Sequence, residues 1–253
     1  MSDWIFLRGL VREQRHWGGF LSEFETRLPD ARVTPVDFPG NGELNYLQSP
    51  ITVQEMVESC RAQLQEQGSQ PPYRVLALSM GAMVAVAWSA AYPNEVQGMV
   101  LINTSMRPFS AFYQRLLPGN YLPLLGLMMG ASAQRWEQWI LRATTRHPRE
   151  DVEDAWTSFR EQSPVSAANA LRQLWAATRF CAPLQSPIAD VLVLTSERDQ
   201  LVSTQCSQAI ARQWRATLAI HPSAGHDLTL DDGPWVVEQV EAWLTAKTAQ
   251  RRS

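Results

Sequence analysis

Six short apolar runs recur along this chain, at residues 4–7, 32–38, 74–78, 98–103, 190–195 and 217–221, and helical stretches separate most of them. Strand-like runs that alternate with helices constrain the fold strongly. Parallel neighbours need a crossover, and the crossovers cover both faces of the sheet. Helices are expected at about 18–28, 52–67, 80–92, 203–214 and 234–248. The fold class that follows is α/β, a mostly parallel sheet with helices on both faces. At 253 residues the chain has room for one such domain and a modest insertion.

The insertion is expected at residues 104–187, where the alternation stops, leaving a core of 1–103 and 188–253. This segment carries Phe109, Phe112, Tyr113, the run Tyr121-Leu122-Pro123-Leu124-Leu125-Gly126-Leu127-Met128-Met129, and Trp136, Trp139, Trp156 and Trp175 at largely helical spacing. It reads as a helical cap. Most of these aromatics are expected to pack it onto the core, and a few, with Met128, Trp136 and Trp139 the candidates, to line a substrate cavity. Nine arginines to six acids make the segment more basic than the remainder, which suits steering of an anionic partner, although a solvated helical surface explains the same charges.

Composition removes several function classes. The net charge of −3 is spread without a basic stripe, so nucleic-acid binding is not expected. Asp3, Arg8, Arg12 and Glu13 interrupt the N-terminal region, and no run reaches membrane-span length, so the default location is cytoplasmic. Three widely spaced cysteines, Cys60, Cys181 and Cys206, read as buried free thiols rather than metal ligands. No metal or organic cofactor is implied.

The chemistry-bearing pattern is Val75-Leu76-Ala77-Leu78-Ser79-Met80-Gly81-Ala82, a buried strand that turns at one serine into a small-residue helix. A serine on so tight a turn needs small residues two before and two after it, and Ala77 and Gly81 supply them. The helix N-terminus that opens after it favours an anion. A serine hydroxyl also needs a base, and the base a group that holds its tautomer. Of four histidines, His226 lies in the loop after the sixth run, whereas His221 lies within that run and reads as structural. Asp199 follows the fifth run and competes with Glu197, Asp190 and Asp227 for the acid's place. Loops at the carboxyl ends of parallel strands converge on one edge, so Ser79, Asp199 and His226 can meet there.

The order serine, acid, histidine resembles the α/β-hydrolase family, over nearly the whole chain. Arg8-Gly9-Leu10 is similar to its His-Gly strand end, and Asp37-Phe38-Pro39-Gly40-Asn41-Gly42 to its Asp-x-Pro-Gly-x-Gly loop. The resemblance implies a nucleophile at Ser79, an acid at Asp199, a base at His226, and an oxyanion hole from the backbone N–H groups of Met80 and Leu10. It points to small capped serine carboxylesterases of the pimeloyl-acyl-carrier-protein methyl ester esterase type, monomer or homodimer. Their substrate is a small-molecule ester, free or carrier-linked. Thioesterases, carbon–carbon bond hydrolases and a non-catalytic binding protein are the alternatives. Arg8 departs from the family's histidine. Turned inward it would favour an anionic or polarised substrate, but a buried unpaired arginine is costly. An outward or structural placement, paired with Glu13 or Glu43, is therefore expected. His16 and Trp17, beside the proposed hole, are candidates for substrate contact or loop packing.

Overall fold

The computed structural model describes residues 2–128, 130–147, 150–188 and 190–252. Six strands, β1 (Ser2–Leu7), β2 (Ala31–Val36), β3 (Tyr73–Leu78), β4 (Val96–Ile102), β5 (Val191–Ser196) and β6 (Thr217–His221), form one parallel sheet in the order β2-β1-β3-β4-β5-β6. Every apolar run expected as a strand is one. The crossovers are α1 (Phe20–Arg27), α2 (Val53–Glu66), α3 (Met80–Ala91) and α9 (Thr204–Trp214). Between β4 and β5 lie α4 (Phe112–Arg115), α5 (Tyr121–Met128), α6 (Ala133–Thr144), α7 (Glu150–Gln162) and α8 (Ala167–Arg179); α10 (Leu228–Asp231) and α11 (Gly233–Arg252) close the chain.

The two-residue period of each strand divides the core. Ile5, Leu7, Val75, Ala77, Met99, Leu101 and Val193 face a layer that holds Met56 and Val57 of α2, Trp88 of α3 and Ile210 of α9. Trp4, Phe6, Leu76, Leu78, Val100 and Leu194 face Phe20 and Phe24 of α1 and Val236, Val240 and Trp243 of α11. Helix α3 is buried along nearly its whole length, as its run of small and apolar residues requires. Cys60 and Cys206 are buried free thiols, but Cys181 is exposed. That cysteine follows α8 in an irregular stretch, where nothing in a single residue signals its exposure. Among the described residues no helix is long and apolar enough to cross a membrane.

The loop after β2 runs from Asp37 under the segment that follows β1. Asp37 Oδ1 accepts the Gln14 N–H at 2.7 Å, and its Oδ2 is buried without a partner. Burial raises this carboxyl to about 7; the Gln14 N–H works against the shift, and repulsion from Glu13 and Glu43 adds to it. The folded protein therefore keeps a proton that the unfolded chain releases near pH 4. Stability falls as pH rises from about 4 to about 7, and the loss is complete above that. Asp37→Asn removes the penalty, so its urea midpoint relative to wild type should climb between pH 5 and pH 8. A difference independent of pH contradicts this origin.

Candidate active site

One residue makes the whole turn between β3 and α3. Ser79 sits at φ 57° and ψ −116°, a backbone that L-residues rarely adopt. Such a conformation costs about 1–3 kcal/mol and persists only where its surroundings impose it. Here the Ser79 N–H donates to the Ile102 carbonyl at 2.8 Å, and the Thr104 hydroxyl donates to the Ser79 carbonyl at 2.8 Å. A Cβ added to Gly81 would lie 2.5 Å from the Leu7 carbonyl oxygen and 2.6 Å from that of Arg8, so no larger residue fits. Leu78 and Met80 are buried, whereas Ser79 keeps partial exposure. Met80 is the first residue of α3, so its N–H has no acceptor within the helix.

Asp199 and His226 meet beyond the ends of β5 and β6. His226 Nδ1 and Asp199 Oδ2 are 2.7 Å apart, both residues buried. An ionised carboxylate only accepts, so Nδ1 carries a proton, and in the neutral imidazole Nε2 is the acceptor. The other carboxylate oxygen accepts the N–H groups of Leu201 at 2.8 Å and Val202 at 3.0 Å, which fixes the acid's orientation. Asp190 pairs with Lys247 at 3.0 Å, and among the described residues no hydrogen bond joins Glu197 to this histidine. His221, as expected of a structural residue, ends β6 and engages Asp232 at 3.0 Å.

Arg8 does not point outward, and its partner is neither Glu13 nor Glu43. It is buried, and its Nη2 and Nη1 donate to the two oxygens of Asp227 at 2.5 and 3.3 Å, beside the face of Trp17. Glu13 instead pairs with Arg15. The structural placement holds with a different acid because the loop after β6 brings Asp227, the residue before α10, to the end of β1. Burial favours the neutral form of Asp227, yet the Arg8 guanidinium holds its carboxyl below the usual range. The pair joins the loop after β1 to the residue next to His226.

A second buried network lies alongside. Glu137 of α6, fully buried, accepts from Arg12 Nη1 at 2.7 Å and from Arg160 Nε at 2.5 Å. His16 Nε2 stands 2.9 Å from the same Arg12 nitrogen, and burial together with Arg12 and Arg8 pushes its pKa well below the usual value. The imidazole is therefore a neutral acceptor. It packs against Trp156 and Phe159, while Trp17 packs against Phe6 and Phe20. Both belong to the loop's packing, not to the cavity lining.

The cavity has a volume of about 400 Å³. Ser79 and His226 line it together with Leu10, Arg8, Trp136 and Trp139, and most of the remaining lining is apolar. The side chain of Met128 lies outside the described residues. Among the described residues no three His, Cys, Asp or Glu side chains converge as metal ligands. Three polar residues that sequence reasoning passed over hold this edge. Asn103 Nδ2 donates to the carbonyls of His226 and Gly225, and its Oδ1 accepts the Ser196 N–H. Gln173 Oε1 accepts the Val11 N–H at 2.9 Å and ties α8 to the loop after β1. Asp231 accepts the Gly225 N–H at 2.6 Å. Asn103 stands at the end of an apolar run, which is a usable signal; the other two have none.

Parallel sheet, strained serine and buried acid–histidine pair define a class of hydrolase-like proteins with the site at the carboxyl edge. The alpha/beta hydrolase family profile matches residues 4–239, and the chain belongs to that family. It is 27% identical over 231 residues, 83% of this chain and 79% of the other, to RutD of Cronobacter turicensis, a candidate carbamate hydrolase. It is 28% identical over 119 residues to the pimeloyl-[acyl-carrier protein] methyl ester esterase of Neisseria meningitidis, a match covering 46% of this chain and 43% of that one. Among solved structures the fold resembles an enol-lactonase from Burkholderia xenovorans, with TM-score 0.75, 14% identity, and 96% and 91% of the two chains covered.

Removing one half of the Arg8–Asp227 pair leaves a buried uncompensated charge, which typically costs about 3–5 kcal/mol. Arg8→Met should lose stability of that order in urea unfolding, and Arg8→Met/Asp227→Leu should recover most of it. Equal losses in the single and double variants would refute a charge-pair origin.

Proposed function

We propose that the protein is a serine hydrolase of carboxylic esters working through an acyl-enzyme. The 2.7 Å His226–Asp199 hydrogen bond beside the strained, accessible serine carries this reading. Asp199 holds His226 in the tautomer whose Nε2 takes the Ser79 proton as the hydroxyl attacks the ester carbonyl. The tetrahedral oxyanion is held by the N–H groups of Met80 and Leu10, and the opening of α3 favours negative charge there. His226 returns the proton to the leaving alcohol. Water, deprotonated by the same imidazole, then attacks the acyl carbonyl and frees Ser79.

Residues 104–187 act in this reading as a cap. Helix α6 supports it: the Asp227 N–H donates to the Thr144 carbonyl at 2.7 Å, so the end of α6 rests on the histidine loop, while Trp136 and Trp139 line the cavity. An apolar chamber suits an acyl chain or an alcohol. The esterase activity named for the Neisseria relative agrees with a carboxylic ester, free or carrier-linked. The carbamate and lactone activities named for other relatives also start from attack on a carbonyl.

On a short activated ester, Ser79→Ala and His226→Ala should each lower kcat by a factor of about a thousand or more. Wild-type activity should fall on acidification, because a protonated His226 cannot act as base. Full activity in Ser79→Ala would overturn the assignment. Trp136→Ala and Trp139→Ala should change the acyl-length preference severalfold more than they change turnover of the short ester. Equal losses on all esters would restrict these rings to packing.

A further inference from the structure

Four guanidiniums, those of Arg8, Arg12, Arg115 and Arg160, stand in or beside the cavity against three carboxylates, Asp199, Asp227 and Glu137. The carboxylates are all engaged: Asp199 with His226, Asp227 with Arg8, and Glu137 with both Arg12 and Arg160. Arg115 is left over. It stands at the end of α4, lines the cavity, and donates to the carbonyls of Ala177 at 2.6 Å and Thr178 at 3.3 Å in the last turn of α8. Its Nε is buried without an acceptor, and among the described residues no carboxylate pairs with it. Burial lowers its pKa and neighbouring Arg107 adds to the shift, while only the thiols of Cys206 and Cys181 work against it.

The carbonyls at the end of α8 carry only partial negative charge, so they explain where Arg115 lies better than they balance it. A cation held in an apolar cavity without a counter-charge is unfavourable until a ligand brings the anion. Arg12, on the same lining, also has an Nη2 that is buried without an acceptor. A planar guanidinium offers a carboxylate paired donors.

We propose that the cavity takes an ester whose far end carries a carboxylate, and that Arg115 binds this carboxylate while the scissile carbonyl lies at Ser79. The proposal rests on the esterase reading above and narrows its substrate class to half-esters of dicarboxylic acids. The attack on the carbonyl is unchanged; the distal carboxylate is only held.

The test compares monomethyl esters of the C5 to C8 dicarboxylic acids with methyl esters of the matching monocarboxylic acids, followed by titration of released acid. Wild type should prefer the half-ester by about tenfold or more in kcat/KM at its best length, the usual worth of a charged hydrogen bond. Arg115→Gln leaves no carboxylate orphaned and should bring that ratio near one, whatever its absolute rate. A wild-type ratio of one or less at every length overturns the proposal, as does a ratio that Arg115→Gln leaves intact. Calorimetric titration with octanedioate and with octane-1,8-diol separates it from the esterase reading. Binding of the dianion but not the diol, lost in Arg115→Gln, supports the anion site even if no ester is cleaved. Ester cleavage without half-ester preference or dianion binding sinks the proposal and leaves the hydrolase standing.

Discussion

The left-handed backbone at Ser79 is the constraint around which the carboxyl edge of the sheet is arranged. A serine cannot stay at φ 57° on its own preference, so neighbouring strands must hold it. The Ile102 carbonyl at the end of β4 and the Thr104 hydroxyl just beyond it fix it, and Gly81 lets α3 approach the carbonyls of Leu7 and Arg8. The strain brings the start of α3, the loop after β1 and a partly exposed serine to one place. A larger residue at 81 would push β1 away and undo the geometry.

Around that point the histidine loop is fastened from three sides. Asn103 holds the carbonyls of Gly225 and His226, Arg8 holds Asp227, and Thr144 at the end of α6 accepts the Asp227 N–H. The last contact joins the inserted helices to the site, so a shift of α6 reaches His226 through one hydrogen bond. Gln173 does the same for the loop after β1 from α8. Polar bonds cross this boundary where apolar packing would suffice for adhesion, which makes the register between the two parts specific.

The sheet was legible because each strand is a short apolar run and the crossovers read as helices. The meeting of Asp199 and His226 was legible because chain order alone brings loops at one sheet edge together; the two stand 2.7 Å apart, and Ser79 lines the same cavity as His226. The partner of Arg8 was not. Asp227 lies 219 residues away, and its pairing depends on where the loop before α10 places it. Nor does a sequence mark Glu137 as fully buried, since an acid on an amphipathic helix ordinarily faces solvent. Cys181, His16 and Trp17 share the reason: their surroundings are set by tertiary packing, which single residues do not announce.

The proposed function requires Ser79 to be made nucleophilic by its turn and by the His226–Asp199 pair. Its most direct measurement is peptide mapping by mass spectrometry after treatment with a fluorophosphonate at neutral pH. The account predicts one adduct, on Ser79, formed much more slowly in His226→Ala. An unmodified wild type, or an adduct on another residue that persists in Ser79→Ala, would contradict it.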